Sequence, residues 1–302
     1  MLVKIPTESV LAAYTVHAKS ELPKSYPRLA LMMLPRVGYF SLLLTTILFS
    51  IGTGHADKAT TQAARKIYQA HQDSLVVITA ISTISFTTDS ESLPDQERRT
   101  QTLGTIIDSK GLIMLSNSAL DPSVGMAGQR GRPVGSETEF VTVVNASARF
   151  PEIQVNLADG TEYHAALIDR DEKIDLAFLR IDQKQLKERK TALPFVNINN
   201  RITEGEISIA DEVIGLSRSS PVYAYIPSVI PGYVTAVSKR DYTFYISTAG
   251  TAQGIPLFAL NGKFIGITVQ RIVEGKRTNL LGTLGAGTVK TMADLAATRR
   301  SR

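Results

Sequence analysis

Short apolar, β-branched runs recur along most of this chain, each closed off by turn residues. Ser74–Ile81 (SLVVITAI), Thr102–Asp108 (TLGTIID), Gly111–Asn117 (GLIMLSN), Glu139–Val144 (EFVTVV) and Glu152–Leu157 (EIQVNL) form a first set. Their shortness and their Val, Ile and Thr content predict strands. Asp159-Gly160 supplies a hairpin signal into Glu162–Asp171, and Lys173–Ile181 (KIDLAFLRI) is a further strand. A second set follows in Glu206–Leu216, Pro231–Val237, Thr243–Thr248, Ile255–Leu260 and Lys263–Val269, the last two joined by Asn261-Gly262. Helical spacing is confined to Lys58–Asp73 and Gly287–Ala297. Thr87–Gln101 and Asp121–Glu139, rich in polar, Gly and Pro residues, read as loops, and Asp182–Phe195 reads as a crossover between the two sets.

Two sets of short strands with few helices predict an all-β fold, a double antiparallel β-barrel with a short N-terminal helix and a C-terminal helix. The expected domain covers residues 57–302, with a first barrel at about 74–183 and a second at about 195–290. No PDZ-sized extension is expected after the second set of strands.

The N-terminal segment follows a different pattern. Arg36 precedes an apolar stretch, Val37–Ile51, and Gly54-His55-Ala56 places small residues where a signal peptidase needs them. Residues 1–56 are therefore expected to be an extension and signal peptide cleaved after Ala56, with a secreted or periplasmic destination. A membrane tether is expected only if the leader stays attached. The formal charge of +5 owes much to this segment, because the chain from Asp57 on carries 28 Lys+Arg against 26 Asp+Glu. No nucleic-acid partner is expected. The chain has no Cys and, beyond Ala56, two separated histidines, His71 and His164, so no metal site or cofactor is expected.

Four stretches, in order, carry a family resemblance: TLGTIIDSKGLIMLSNSAL, LADGTEYHAALIDRDEKIDLAFLRID, EGEISIADEVIGL with GYVTAVSKR, and AQGIPLFALNGKFIGITV. Together they resemble the trypsin-like serine proteases of the HtrA (Deg) type, which implies a double barrel and a serine endopeptidase ancestry. The resemblance puts the family's catalytic aspartate on Asp175, its histidine on Ser118 and its nucleophilic serine on Gln253. A serine hydroxyl is no general base near neutral pH, and a primary amide does not attack a peptide carbonyl. The family's second glycine after the nucleophile falls on Ile255, and the loop before Gln253 is about four residues shorter than the family's pattern. That loop supplies the oxyanion-hole N–H groups in the family.

The resemblance thus implies a pseudoprotease. Its expected use is binding a polypeptide or envelope protein in the cleft between the barrels, with Thr251, Gly254, Tyr223 and Tyr225 as possible cleft residues. Substrates of this fold add as a strand, a mode that needs no triad. Two alternatives stand beside it: an active serine endopeptidase with a non-standard site, and a structural all-β envelope module with a filled groove. Ser247, Thr248 and Thr251 lie near the old nucleophile position with no base beside them in sequence. The glycines at 125, 128, 131 and 135, with Arg130 and Arg132, read as a flexible loop or an anion cradle.

Overall fold

The computed structural model describes residues 58–90, 92–131 and 140–299. The signal-peptide reading of residues 1–56, Arg132 and Gly135 lie outside the described residues. Helix α1 (Lys58–His71) leads through a short 3-10 turn into strand β1 (Leu75–Thr88). Then come β2 (Ser92–Ile106), β3 (Leu112–Ser116), a helical turn α2 (Asn117–Leu120), β4 (Arg130–Gly131), β5 (Val141–Asn156), β6 (Glu162–Asp171) and β7 (Leu176–Ile181). Strands β1-β2-β3-β7-β6-β5 form an antiparallel barrel closed by the β1–β5 pairing, and β4 adds to the edge of β5. A short helix, α3 (Gln183–Lys187), begins the crossover.

The second barrel closes in the order β10-β13-β12-β11-β8-β9. Its strands are β8 (Glu212–Arg218), β9 (Pro227–Ser238), β10 (Phe244–Ser247), β11 (Pro256–Ala259), β12 (Phe264–Val273) and β13 (Lys276–Gly285). Helix α4 (Ala286–Thr298) follows directly. The expected mainly β fold with two antiparallel barrels and a helix near each end is observed.

The apolar pattern explains how the barrels share a core. Every residue of β3 is buried, a run that alternation alone would not produce. Ile113 and Leu115 join Val76, Ile78, Ile106, Val155 and Leu179 inside the first barrel. Leu112 and Met114, on the opposite face of the same strand, join Leu176 and Phe178 in the core built around the second barrel. Strands β3 and β7 are therefore buried on both faces, which fixes the junction between the barrels.

Three local expectations change. Thr87–Gln101, expected as a loop, is the paired arm of a long hairpin, with a ladder from Thr79↔Gln101 to Thr87↔Ser92. Its polar sequence misleads because Asp95–Arg99 are exposed while their backbone still pairs with β1. Ile84, Phe86 and Ala148 form a small apolar cluster of their own in this region. The two strands expected at Glu139–Val144 and Glu152–Leu157 are one strand, β5. Phe150 and Pro151 fall where the β1–β5 register shifts between Ile81 and Thr83, so the proline sits in a bulge that needs no N–H from it. Finally, β13 had no clear sequence signal. Its turn uses Glu274 (φ 51°) and Gly275 (φ 73°), a primed geometry in which glutamate replaces the usual Asn or Asp.

Candidate functional site

The pairing of β3 with β7 sets Ser116 opposite Leu176, and so brings the end of β3 beside the residue that enters β7, Asp175. The Asn117 N–H donates to the Asp175 carbonyl at 3.0 Å, tying the start of α2 to that corner. Asp175 adopts the left-handed region at φ 58°, where Asp is among the better-tolerated non-glycine residues. It is thus both a strand-entry residue and a polar contact. Its carboxylate is fully buried and accepts three hydrogen bonds: from Ser116 Oγ at 2.5 Å, Ser118 N–H at 2.6 Å and the Gln270 N–H at 2.8 Å. Burial pushes this carboxyl above its ordinary pKa, against the opposing pull of those donors.

The remaining groups close a network across the two barrels. Gln253, in the β10–β11 loop, donates through Nε2 to Ser118 Oγ at 2.8 Å and lies 3.1 Å from Ser116 Oγ. Ser118 Oγ donates in turn to Gln270 Oε1 at 3.1 Å. Ser118, Asp175 and Gln253 are therefore brought together, with Ser116 and Gln270 completing the set. Sequence reasoning missed these last two. The one signal for Ser116 is its i, i+2 spacing from Ser118, and Gln270 becomes visible only when β12 crosses the junction. Chemically, the set holds a carboxylate, two hydroxyls and two amides, all engaged with one another. No imidazole is among their partners.

Neither described histidine belongs to this network. His71 stacks on Phe258 with ring centroids 5.0 Å apart, and burial lowers its pKa. His164 is an exposed residue of β6 whose backbone N–H donates to Gln185 Oε1 at 2.8 Å. Ser247 Oγ accepts from the Gly250 N–H at 3.0 Å, and Thr248 Oγ1 accepts from the Tyr233 N–H at 2.9 Å, so both hydroxyls brace the loop.

The loop around Gln253 uses its own donors. The Thr251 N–H goes to the Ala249 carbonyl at 3.1 Å and the Gly254 N–H to the Thr268 carbonyl at 2.8 Å. Ile255 is fully buried. Gly254, expected in the cleft wall, is buried as well. A Cβ there would sit 2.3 Å from the Leu103 carbonyl oxygen, so close backbone approach takes the place of an open surface. Thr251 is exposed.

A second polar cluster crosses from one barrel to the other. Asp121, buried just after α2, pairs with Arg170 of β6 and accepts from the Ser123 N–H at 2.8 Å. Its carbonyl accepts from Arg277 Nη2 of β13 at 2.6 Å. Burial lowers the Arg277 pKa, opposed by the nearby Asp175 and Asp121 carboxylates. Gly125 packs against Arg277 so closely that a methyl group added to it would lie 2.8 Å from Arg277 Cγ.

Of the glycine-rich segment, the described part is spoken for. The Gly128 N–H donates to Val143 at 2.7 Å, Arg130 and Gly131 pair with β5, and the Arg130 guanidinium lies 5.4 Å from the Phe140 ring centre. These N–H groups do not form an anion cradle.

The tyrosines divide. Tyr223 is 66% exposed, next to Val222 and Ile226, both also exposed, and does not pack under the barrel. Tyr225 donates its hydroxyl to Gln101 Oε1 at 2.7 Å, anchoring the loop to β2. Arg218 holds the same loop through the Tyr225 carbonyl at 3.0 Å, while also reaching the carbonyls of Leu75 at 2.8 Å and Gln72 at 3.2 Å. Among the described residues there is no cluster of three metal-ligating side chains, and no helix long and apolar enough to cross a membrane.

No protein-family model matches the chain. Over 187 residues, 58% of its length, it is 30% identical to a probable periplasmic serine endoprotease, DegP-like, of Pseudomonas savastanoi pv. phaseolicola. The chain spans 30% of that relative's length. This similarity and the two six-stranded barrels support a trypsin-like fold of the HtrA (DegP-like) type.

Proposed function

We propose that this chain is an exported, catalytically inactive relative of trypsin-like serine endoproteases that holds an extended polypeptide at the junction of its barrels. The observation that carries the reading is the closed network of Asp175, Ser116, Ser118, Gln253 and Gln270. In a triad, the carboxylate orients an imidazole that takes the nucleophile's proton. In this chain the carboxylate accepts from a serine hydroxyl and two backbone amides, and Gln253 donates where the family's nucleophile would attack. Loss of one triad member alone costs about 10⁴- to 10⁶-fold in rate. The Thr251 N–H, two residues before the nucleophile position, is turned to the Ala249 carbonyl, which argues that the electrophilic half is missing too.

Polypeptide binding rests on the open edge of β12. Strand β11 covers β12 only over Phe264–Ile267, whereas β13 follows it to Val273. Beyond Gln270, whose own N–H goes to the Asp175 carboxylate, β12 has one strand neighbour among the described residues, and an added strand would find backbone groups from there to Val273. The exposed Tyr223 and Thr251 are the proposed side-chain contacts. Export is supported by the leader-like residues 32–56 and by the periplasmic assignment of the DegP-like relative.

A second reading, a structural envelope module with a filled groove, is favoured by the Arg277–Asp121–Arg170 cluster, which fastens β13 to the first barrel. One experiment separates the readings. The full chain is treated with a fluorophosphonate probe and with casein, then presented with an immobilised library of extended peptides. The expected outcome is no labelling, no cleavage and selective peptide retention. Labelling of a single serine would establish an active hydrolase, and absence of any selective binder would favour the filled groove. The double variant Ser118→His with Gln253→Ser is expected to recover little activity.

A further inference from the structure

A cavity of about 790 Å³ lies beside the N-terminus of α4, and none of its lining residues belongs to the Asp175–Gln253 network. Its volume falls in the range of small-molecule sites. Arg201 and Glu204 line it from the segment before β8, Thr243 from just before β10, Tyr245 from β10, and Gly285 to Thr288 from the start of α4. Ile202 and Met292 supply apolar wall.

Three features point to an anion carried on a small body. First, α4 has 13 residues, Gly285 caps it without a side-chain bond, and its first turn holds no acidic residue. Its leading N–H groups and the positive end of its dipole therefore face the cavity uncompensated. Second, the Arg201 guanidinium has no acceptor among the described residues. Third, Tyr245 is 2% exposed, lines the cavity, and its hydroxyl has no hydrogen-bond partner among the described residues. The ring is buried while the hydroxyl opens to the cavity, which makes it a donor that a ligand there can meet.

Glu204 sets a limit on the ligand. It accepts from Thr243 Oγ1 at 3.3 Å and lies close enough to Tyr245 to act, with burial, in raising the phenol's pKa. A carboxylate on the wall disfavours a dianion such as phosphate. It suits a ligand that brings its own N–H donor beside its negative group.

We propose that this cavity binds a small monocarboxylate bearing an adjacent N–H, of the size of an amino acid or a peptide's C-terminal residue. The carboxylate would meet Arg201, the Tyr245 hydroxyl and the leading N–H groups of α4. The N–H would face Glu204, and the side chain would lie against Ile202 and Met292.

The test titrates the full chain with N-acetyl-L-leucine, L-leucine, L-leucinamide and sodium sulfate, read by ligand-observed NMR and calorimetry. Binding of either carboxylate, with none of leucinamide, is expected. N-acetyl-L-leucine binding better than L-leucine assigns a chain terminus, and the reverse assigns a free amino acid. Arg201→Gln is expected to weaken binding about tenfold, the scale of one charge-assisted hydrogen bond, and Tyr245→Phe about threefold. Thr288→Glu separates binding from folding, because an acidic residue in the first turn stabilises a helix while repelling a carboxylate. It should abolish binding with no loss of thermal stability. The proposal is overturned if neither carboxylate binds, if leucinamide or sulfate binds as well, or if binding survives Thr288→Glu unchanged.

Discussion

Asp175 shows how one side chain can keep its place while its surroundings change its role. The carboxylate is buried, bent into the left-handed region and saturated by three donors from three separate chain positions. Two of those donors are backbone amides, which no side-chain replacement elsewhere can remove. Asp175→Ala is expected to destabilise the fold by about 2–4 kcal/mol, because it leaves buried N–H groups unpaired and places a Cβ-bearing, non-hydrogen-bonding residue at positive φ. Asp175→Asn, which tolerates that backbone and keeps one acceptor, should cost less than Asp175→Ala. Urea unfolding of both variants checks the order, and an alanine variant within about 0.5 kcal/mol of the parent would contradict the network's structural weight.

At the scale of elements, the junction depends on side chains reaching backbone across long sequence separations. Arg218 ends β8, yet it bonds carbonyls at the start of β1, in the turn before it, and in the tyrosine loop. Burial lowers its pKa, so its charge is held in place by those carbonyls rather than by water. Arg218→Ala is expected to cost about 2–4 kcal/mol, since three hydrogen bonds to one charged group are lost together. It should also raise hydrogen exchange selectively over residues 219–226. Exchange unchanged in that segment would mean that the Tyr225 hydroxyl contact to Gln101 holds the loop alone.

At the scale of the whole molecule, a pH dependence of stability is expected from the packing of α1 on the second barrel. His71 stacks on Phe258, and burial depresses its pKa below 6.5 while leaving Nδ1 without a partner. The unfolded chain therefore takes up a proton at higher pH than the folded one. This group's stabilising effect is complete above pH 6.5 and is lost as pH falls from there through the depressed folded value. His71→Phe keeps a ring for the stack and removes the titration. Its urea midpoint should fall less between neutral and mildly acidic pH than the parent's, and parallel profiles would refute the assignment.

Much of this molecule was legible in the residues alone. Short β-branched runs between turns dictate barrels, because a strand's preference and its neighbouring turn are local properties. Ser118, Asp175 and Gln253 were singled out by the resemblance of their stretches to HtrA-type proteases, and the structure brings them into one hydrogen-bonded network. Other features belonged to the tertiary structure. The exposed β1–β2 arm is strand only because β5 pairs along its other side, and β5 runs through Pro151 only because a bulge absorbs it. Ser116 and Gln270 join the site, and Arg201 meets Tyr245 and α4, through contacts between residues far apart in the chain. Such contacts are decided by barrel closure and packing, and no local pattern of hydrophobic and polar residues encodes them.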